Sequence, residues 1–355
     1  IESFLPVQLI IRKFLIIVFF TTCLSITKYS TSVANNKEDY GVIALMYHRF
    51  EENKYPSTNI KIADFKKHLE LIEKENILFL RASEMDSAIK LEKNKRKVLL
   101  TIDDAFLSFY ENAWPILKKK KIPFILFVST KEVGNFNYMN WKQIKEISSE
   151  DFVHIGNHSD SHGYLIDKSS EEIRIDIEKS IKILKEKIGY QTKFFSYPFG
   201  EYSIEFKNIV KDLEFKYAFG QHSGVIDETK NYLEFPRFPI NEKYGTIKRF
   251  ETILRTLPFK YNEIIPEERY INNKTNPPKV IIEFYDYVKN LELISCYSNE
   301  ENIWRKSEIV FLNKNKIEIK INGKFITERG RINCSLREEN GFWRWLGLQF
   351  TVAEK

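Results

Sequence analysis

Strong charge of one sign, long apolar runs, repeats and abundant cysteine are all absent from this 355-residue sequence. Its formal net charge is only +6 and lysine is interleaved with glutamate, so it lacks the signature of a nucleic-acid-binding protein. No internal repeat or low-complexity tract is present. With 43% hydrophobic residues, the chain can bury a full-sized core, and one large domain with a smaller one is expected.

The N-terminal apolar run predicts a targeting signal. Arg12 and Lys13 precede apolar residues 14–26, a run too short for a comfortable membrane span. Small residues at 32–34 suit signal-peptidase cleavage after Ala34, so residues 1–34 read as a signal peptide. The alternative is an uncleaved anchor, which would be the protein's only association with a membrane. In both cases the remainder is expected to be exported, to the periplasm, the cell envelope or the medium.

Cysteine is scarce, with three residues in the chain. Cys23 lies in the predicted signal and would be lost on cleavage. Cys296 and Cys334 remain as an even pair in an exported chain, and we predict a disulfide between them.

Between residues 42 and 239, short apolar runs alternate with amphipathic segments. This alternation predicts parallel strands joined by helices, and therefore an α/β fold. Polar candidates follow the predicted strands, at His48, Asp103-Asp104, His158, residues 198–200 and Gln221-His222. A β/α barrel and a doubly wound open sheet would both gather these residues at the carboxyl ends of their strands.

The pattern changes in the last quarter of the chain. Residues 262–278 are polar, with Asn272-Asn273 and Pro277-Pro278, and read as a linker. Short alternating runs separated by Asn-Gly and Arg-Gly turns follow. We expect residues 35–260 to form the main domain and residues 265–355 a small β-rich, sandwich-like domain.

Two stretches carry candidate chemistry. Asp103 and Asp104 end an apolar strand, where unpartnered carboxylates would be costly, so a cation is expected beside them. His158 and His162 stand four residues apart, a spacing that puts both rings on one face of a helical turn or tight loop. One carboxylate and two imidazoles would make a divalent-metal site with open positions.

Three motifs in this order resemble those of the polysaccharide deacetylases of the NodB homology type, the family-four carbohydrate esterases. They are TIDDA at 101–105, HSDSH at 158–162 and FSYPFG at 195–200, and the resemblance spans residues 42–239. The segments at 45–49 and 55–58 are similar to the bacterial envelope branch that includes the poly-N-acetylglucosamine deacetylases. The resemblance implies a distorted (β/α) barrel that hydrolyses N-acetyl groups of an amino-sugar polysaccharide.

Mapped onto this chain, the resemblance assigns Asp104, His158 and His162 to a divalent metal ion. Zinc is expected there, with cobalt and nickel as alternatives. Asp103 would act as general base toward the metal-bound water. A backbone N–H near Phe199 would hold the oxyanion, in a turn fixed by Pro198. Tyr197 and His48 are further candidates to line the substrate pocket, and burial in the core is the alternative for each.

The sequence also departs from the family pattern. The third motif usually carries an arginine that orients the catalytic aspartate, and here Ser196 stands in its place. Arg237 is a candidate substitute, with a surface ion pair as the alternative. The late Leu-x-His motif that supplies the general acid is missing; His222 is the candidate, and a surface-loop histidine the alternative. Ala105 replaces a glycine and is expected to lose access to positive φ.

The sequence therefore predicts an exported, metal-dependent enzyme that removes N-acetyl groups from an N-acetylated polysaccharide of the cell envelope. Two alternatives remain open. One is a catalytically weak carbohydrate-binding or scaffold protein on a deacetylase fold. The other is an esterase that removes O-acetyl groups from a glycan, because the same attack serves esters and needs a weaker acid.

Overall fold

A parallel sheet organises the first part of the chain. The structure, a computed structural model, describes residues 39–285 and 288–353. The strands of this part are, in chain order, β1 (Val42–Tyr47), β2 (Arg49–Phe50), β3 (Asn59–Ile60), β4 (Leu78–Phe79), β5 (Lys97–Ile102), β6 (Phe124–Val128), β7 (Val153–Asn157), β8 (Phe194–Ser196), β9 (Tyr217–Phe219) and β10 (Phe238–Pro239). Eight of them form one sheet in the order β10-β1-β5-β6-β7-β8-β9, with β4 beside β5.

Helices cover this sheet. They are α1 (Ile62–Lys74), α2 (Met85–Lys90), α3 (Trp114–Lys120), α4 (Trp141–Ser148), α5 (Ser170–Ile188), α6 (Ile204–Asp212) and α7 (Ile247–Leu254). Helix α5 shows how local sequence sets an element's bounds. Ser169 caps its first turn by accepting the N–H of Glu172, whose side chain returns to the Ser169 N–H, and Gly189 ends it in a left-handed conformation.

All strand pairs in this sheet are parallel, and the sheet curls into a half-barrel. Strands β1 and β5 are buried along their whole length, as expected for strands covered on both faces. The α/β class and the distorted (β/α) barrel predicted from the sequence are confirmed. The curl brings the carboxyl ends of the strands together at one end of the barrel.

The last quarter of the chain forms a β-sandwich, as predicted. Its strands are β11 (Thr256–Pro258), β12 (Tyr261–Ile265), β13 (Tyr270–Ile271), β14 (Val280–Phe284), β15 (Ser295–Ser298), β16 (Arg305–Lys306), β17 (Glu308–Phe311), β18 (Lys316–Lys320), β19 (Arg329–Arg337) and β20 (Trp343–Val352). One sheet runs β11-β20-β19-β15-β16 with β13 beside β20, and the other runs β12-β14-β18-β17. Apolar side chains of both sheets share one core.

The predicted disulfide is present. Cys296 on β15 and Cys334 on β19 stand directly opposite each other in register and are covalently joined inside the sandwich core. The bond ties two neighbouring strands of the same sheet.

The predicted linker is not a linker. Residues 262–278 include most of β12 and all of β13, which pair with β14 and β20 of the two sandwich sheets. Strand β11, placed by the sequence in the main domain, pairs with β20 as well. The asparagines and prolines that suggested a linker, at 272–273 and 277–278, lie in the connection between β13 and β14. The described residues form one compact unit.

The predicted signal peptide lies outside the described residues. Among residues 39–285 and 288–353, no helix is long and apolar enough to cross a membrane.

Candidate active site

Two strands deliver the metal-binding candidates to one end of the barrel. Strand β5 ends at Ile102, immediately before Asp103 and Asp104, and β7 ends just before His158. Oδ1 of Asp104 lies 3.3 Å from Nε2 of His158 and 3.1 Å from Nε2 of His162. One ligand atom from each of these three residues lies within 4.8 Å of the others. The structure therefore brings Asp104 together with two histidines that lie more than fifty positions later in the sequence.

Hydrogen bonds shape the loop that carries both histidines. It is a tight loop, in which Asn157 Oδ1 accepts the N–H of Ser159 at 2.8 Å and Ser159 Oγ accepts the N–H of His162 at 3.0 Å. Asp176 of helix α5 accepts the backbone N–H of Asp160 at 2.8 Å. The two rings therefore reach the same carboxylate from a fixed backbone.

The hydrogen bond of His158 to Ser196 directs its other ring nitrogen toward Asp104. Its Nδ1 lies 2.6 Å from the carbonyl oxygen of Ser196, and a carbonyl can only accept, so Nδ1 carries the proton. Nε2 of His158 then faces Asp104 Oδ1, a buried oxygen that has no hydrogen-bond partner in the described part of the chain. A cation shared between these two atoms, a metal ion or a ring proton, stabilises so close an approach. One carboxylate oxygen and two imidazole nitrogens are a donor set that divalent transition metals accept.

Arg237 holds the other carboxylate of the pair. Its Nη1 and Nη2 donate to Oδ1 and Oδ2 of Asp103 at 2.8 and 2.9 Å, and both side chains are fully buried. Ser196 Oγ donates to the same Oδ2 at 3.2 Å and accepts from Arg237 Nη2 at 2.9 Å. In the family an arginine of the third motif usually contacts this aspartate. Here Arg237, the residue before β10, makes that contact instead. Ser196 adds a hydrogen bond and leaves room for it.

Both carboxylates are ionised at neutral pH. Burial alone would raise the pKa of Asp103, but the charges of Arg237 and His158 outweigh it and leave this pKa below its ordinary value. Burial is likewise outweighed at Asp104, where His162 and His158 hold the pKa well below the usual range. Asp103 Oδ2 lies 3.9 Å from Nε2 of His158, so the second carboxylate stands beside the candidate metal residues.

His48 belongs to this cluster. Tyr47 of β1 and Ile102 of β5 are register partners, so the next residues, His48 and Asp103, emerge side by side. Burial lowers the pKa of His48, while the charges of Asp104 and Asp103 oppose that shift. The sequence had made His48 a pocket candidate, and the structure places its ring in the field of both carboxylates.

His222 lies elsewhere. Its ring lines a small cavity with Tyr202, Lys230, Tyr261 and Arg269. Burial, together with the charges of Arg269 and Lys230, lowers its pKa to about 3. The structure does not bring His222 to the metal-binding candidates, and its position beside cations keeps the ring neutral, which does not suit the general acid expected there.

The third motif forms a short turn at Pro198–Gly200, directly after β8. Phe199 adopts φ 58° and ψ 5°, a left-handed conformation, and its ring stands edge-on to His162 with centroids 4.8 Å apart. Gly200 has φ 70°, and a Cβ there would lie 2.4 Å from the Gln221 side chain, so glycine is required.

Two neighbours of Phe199 are buried. Pro198 packs inside the turn, and the Tyr197 side chain is fully buried with its hydroxyl donating to the Leu233 carbonyl at 3.0 Å. The expectation that Tyr197 contacts substrate is therefore corrected, because its ring belongs to the core that supports the turn.

Left-handed backbone is concentrated around the site. Asp104, Ala105, Ser159, His162 and Phe199 all have φ between 50° and 73°. Such conformations cost roughly 1 kcal/mol or more for a residue other than glycine, and they persist where the surroundings enforce them. The expectation that Ala105 would lose access to positive φ is wrong, because its φ is 56°.

Sequence reasoning missed one wall of the site. The Arg49 guanidinium lies 3.4 Å from the ring centroid of Phe106 and 4.2 Å from that of Tyr55. The Phe106 ring is 4.8 Å from the ring of Tyr138, whose pKa is raised to about 12 by burial and by the charge of Asp104. The sequence analysis gave residues 45–49 and 55–58 only as a resemblance, and no pattern indicates that Phe106 and Tyr138 join Arg49 and Tyr55 in one cluster.

Comparisons with known proteins agree with this geometry. Residues 90–218 match the family model described as polysaccharide deacetylase. The chain is 26% identical over 272 residues to a poly-beta-1,6-N-acetyl-D-glucosamine N-deacetylase of Staphylococcus aureus, covering 65% of this chain and 93% of the relative. It is 25% identical over 163 residues to the putative polysaccharide deacetylase YxkH of Bacillus subtilis, covering 45% of this chain and 57% of that protein.

Solved structures share the fold. IcaB from Ammonifex degensii superposes with a TM-score of 0.56 at 24% identity, over 61% of this chain and 98% of that one. The Streptococcus pyogenes deacetylase PplD, in complex with acetate, superposes with a TM-score of 0.56 at 23% identity, over 60% and 98%. In its motifs, its barrel and its sequence over about two thirds of its length, the chain is similar to polysaccharide deacetylases, which are hydrolases.

Proposed function

We propose that this protein removes N-acetyl groups from a polymer of N-acetylglucosamine in the cell envelope. One observation carries the proposal: an ionised carboxylate, Asp103, is held by Arg237 beside a separate set of ligands for a divalent cation, Asp104, His158 and His162. In this arrangement one carboxylate can act as a base while the other holds the cation. The name of the Staphylococcus aureus relative supports the choice of polymer.

Asp104, His158 and His162 would hold the cation, for which we propose zinc, with cobalt and nickel as alternatives. When bound, such an ion lowers the pKa of a water molecule and polarises an acetyl carbonyl. Asp103 accepts the proton of the attacking water at one of its carboxylate oxygens. Arg237 and Ser196 fix the orientation of that carboxylate, and the positive charge of Arg237 keeps it ionised.

We assign the proton donor to His48. The carbon–nitrogen bond breaks as acetate forms, and the amine must receive a proton to leave. His158 and His162 are assigned to the metal ion, and His222 lies beside the positively charged side chains of Lys230 and Arg269. His48 remains beside both carboxylates, whose charges favour its protonated form and oppose the effect of burial on its pKa.

The turn after β8 would hold the developing negative charge. The backbone N–H of Phe199 is our candidate oxyanion donor, and the left-handed conformation of Phe199 sets the direction of this N–H. The ring of Tyr164 stacks on Phe199 at 4.3 Å and 11°, which helps to keep the turn in place beside His162.

We also propose that the protein acts outside the cytoplasm. The disulfide between Cys296 and Cys334 supports this location, because such bonds persist in oxidising compartments.

Acetate release is the deciding measurement. Purified protein is incubated with poly-β-1,6-N-acetylglucosamine, chitooligosaccharide, peptidoglycan and acetylated xylan, and the metal content of the same sample is determined. We expect release from poly-N-acetylglucosamine with about one divalent ion per chain. Release from acetylated xylan alone would favour an O-acetyl esterase, and metal-loaded protein that releases nothing would favour a binding role.

A further inference from the structure

The C-terminal sandwich contacts the oxyanion turn through Gln349 of β20. Its Nε2 donates to the carbonyl oxygens of Phe199 and Gly200 at 3.3 and 3.2 Å, and the side chain is buried. Arg331 Nε donates to Gln349 Oε1 at 3.3 Å, which fixes the direction of the amide. One sandwich side chain thus holds two consecutive peptide groups of the turn.

Arg329 of β19 makes a second contact. Its Nε lies 2.7 Å from Oε1 of Glu201, the residue after the turn, and this carboxylate is buried. The guanidinium also stands over the Phe199 ring, 5.2 Å from its centroid. Phe199 is therefore bounded by Arg329, Tyr164 and His162.

The backbone of β20 packs closely against the barrel. A Cβ at Gly347 would lie 2.4 Å from the carbonyl oxygen of Ser223, so only glycine permits this approach. Gly224 and Leu346 form an isolated antiparallel bridge across the same boundary. Gln349, two residues after Gly347, is consequently held at a fixed distance from the turn.

The turn needs such support because Phe199 is left-handed without being glycine. That conformation costs roughly 1 kcal/mol or more, and a free turn would relax from it. Holding the carbonyls of Phe199 and Gly200 fixes the peptide planes that follow Phe199. This restricts the ψ of Phe199 and anchors its Cα, so the direction of its N–H depends on the left-handed φ alone.

We propose that Gln349 and Arg329 are positioning residues of the active site, which hold the Pro198–Gly200 turn so that the Phe199 N–H points at the oxyanion. The inference rests on the proposed function. It gives the sandwich a part in turnover: loss of these contacts acts in the transition state and lowers kcat, whereas a sandwich that only binds polymer would act on KM.

The experiment compares Gln349→Met, which keeps the volume and removes the donor, with Asn315→Met. Asn315 donates to the Phe284 carbonyl at 2.8 Å within the sandwich, and in the described part of the chain no hydrogen bond joins it to the turn. We expect Gln349→Met to lower kcat about tenfold, less than the loss of a whole oxyanion donor, with KM changed less than about twofold. Asn315→Met should leave both constants near the wild-type values.

A second pair of variants tests Arg329. We expect Arg329→Met to lower kcat by about threefold to tenfold, and Arg329→Lys to recover most of that loss, because lysine keeps a positive charge beside Glu201 and Phe199. Arg329→Lys no more active than Arg329→Met would contradict the assignment of this residue.

Hydrogen exchange measured by mass spectrometry on the peptide covering residues 197–203 gives a readout that does not depend on activity. We expect faster exchange in Gln349→Met and unchanged exchange in Asn315→Met. Unchanged exchange in Gln349→Met, or an effect on KM alone, would overturn the inference. If the wild-type protein releases no acetate from any substrate, the proposed function fails. Exchange then still decides whether Gln349 holds the turn.

Discussion

Arg237 and Asp103 form a bidentate ion pair across 134 positions of sequence, with nitrogen–oxygen distances of 2.8 and 2.9 Å. Neither side chain is exposed to solvent. Arg237 Nε also donates to the Gly220 carbonyl at 2.9 Å, so the guanidinium is fixed from both sides. A buried pair of this kind is costly to break, because the partner left behind is an unpaired charge in a medium of low polarity.

Arg237→Met is therefore expected to lower the free energy of unfolding by about 3–5 kcal/mol, measured by urea denaturation. It should also raise the pKa of Asp103, because burial then acts without the opposing charge, and the acidic limb of the kcat/KM profile should move to higher pH. Arg255→Met is the matched control. Arg255 is more than half exposed and 3.7 Å from Glu75, so its loss should cost less than about 1 kcal/mol. An unshifted acidic limb in Arg237→Met would refute the role given to this pair.

Substitutions of the two neighbouring aspartates should have different effects, one on turnover and the other on metal binding. Asp103→Asn is expected to keep the metal and lose about a hundredfold to ten-thousandfold in kcat, because the amide cannot accept the proton of water. Asp104→Ala and His158→Ala should instead lose the metal, as measured by elemental analysis of dialysed protein, because each removes a ligand. Substantial turnover in Asp103→Asn would rule it out as the base, and full metal content in Asp104→Ala would rule out the assigned site.

His48 and His222 can be distinguished by one matched pair of substitutions. His48→Gln is expected to lower kcat about a hundredfold or more, because the amine then lacks its proton donor. His222→Gln should lower kcat less than about fivefold, since this ring lines a separate cavity with Lys230 and Arg269. The check is kcat at saturating substrate across pH 5 to 9. A larger loss of kcat in His222→Gln than in His48→Gln would identify His222 as the proton donor.

The sequence could predict those site residues whose position depends on the neighbouring residues in the chain. Asp103-Asp104 and His158 follow apolar strands directly, so their neighbours in sequence already place them at the carboxyl end of the sheet. The disulfide followed from the parity of Cys296 and Cys334. Arg237 was only a candidate, because its contact with Asp103 depends on how the chain enters β10.

Other parts of the site could not be assigned a role from the sequence. Gln349 contacts the turn from a different sheet, and no motif marks it. The role of His48 depends on the register between β1 and β5, which single-sequence patterns do not fix. The linker prediction failed for a related reason. Strands β12 and β13 are too short to outweigh the asparagines and prolines around them, and only pairing with β14 and β20 stabilises them.

The buried carboxylate of Glu201 is expected to make the free energy of unfolding depend on pH. Burial raises its pKa to about 7, and the charge of Arg329 opposes this only in part. Between its ordinary pKa of 4.5 and about 7, the folded protein keeps a proton that the unfolded chain has released. The contribution of Glu201 to the free energy of unfolding is therefore full below pH 4.5 and declines as pH rises toward 7.

Glu201→Gln removes this titration while retaining a polar side chain beside Arg329. Urea denaturation of the wild-type protein and of the variant at intervals from pH 4 to 8 gives the difference in unfolding free energy between them. We expect the advantage of the wild-type protein to shrink with rising pH and to level off above about 7, because Glu201 is then ionised in both states. A difference that grows with pH would mean that the ion pair with Arg329 outweighs burial. The sandwich would then hold the turn by charge attraction at Glu201.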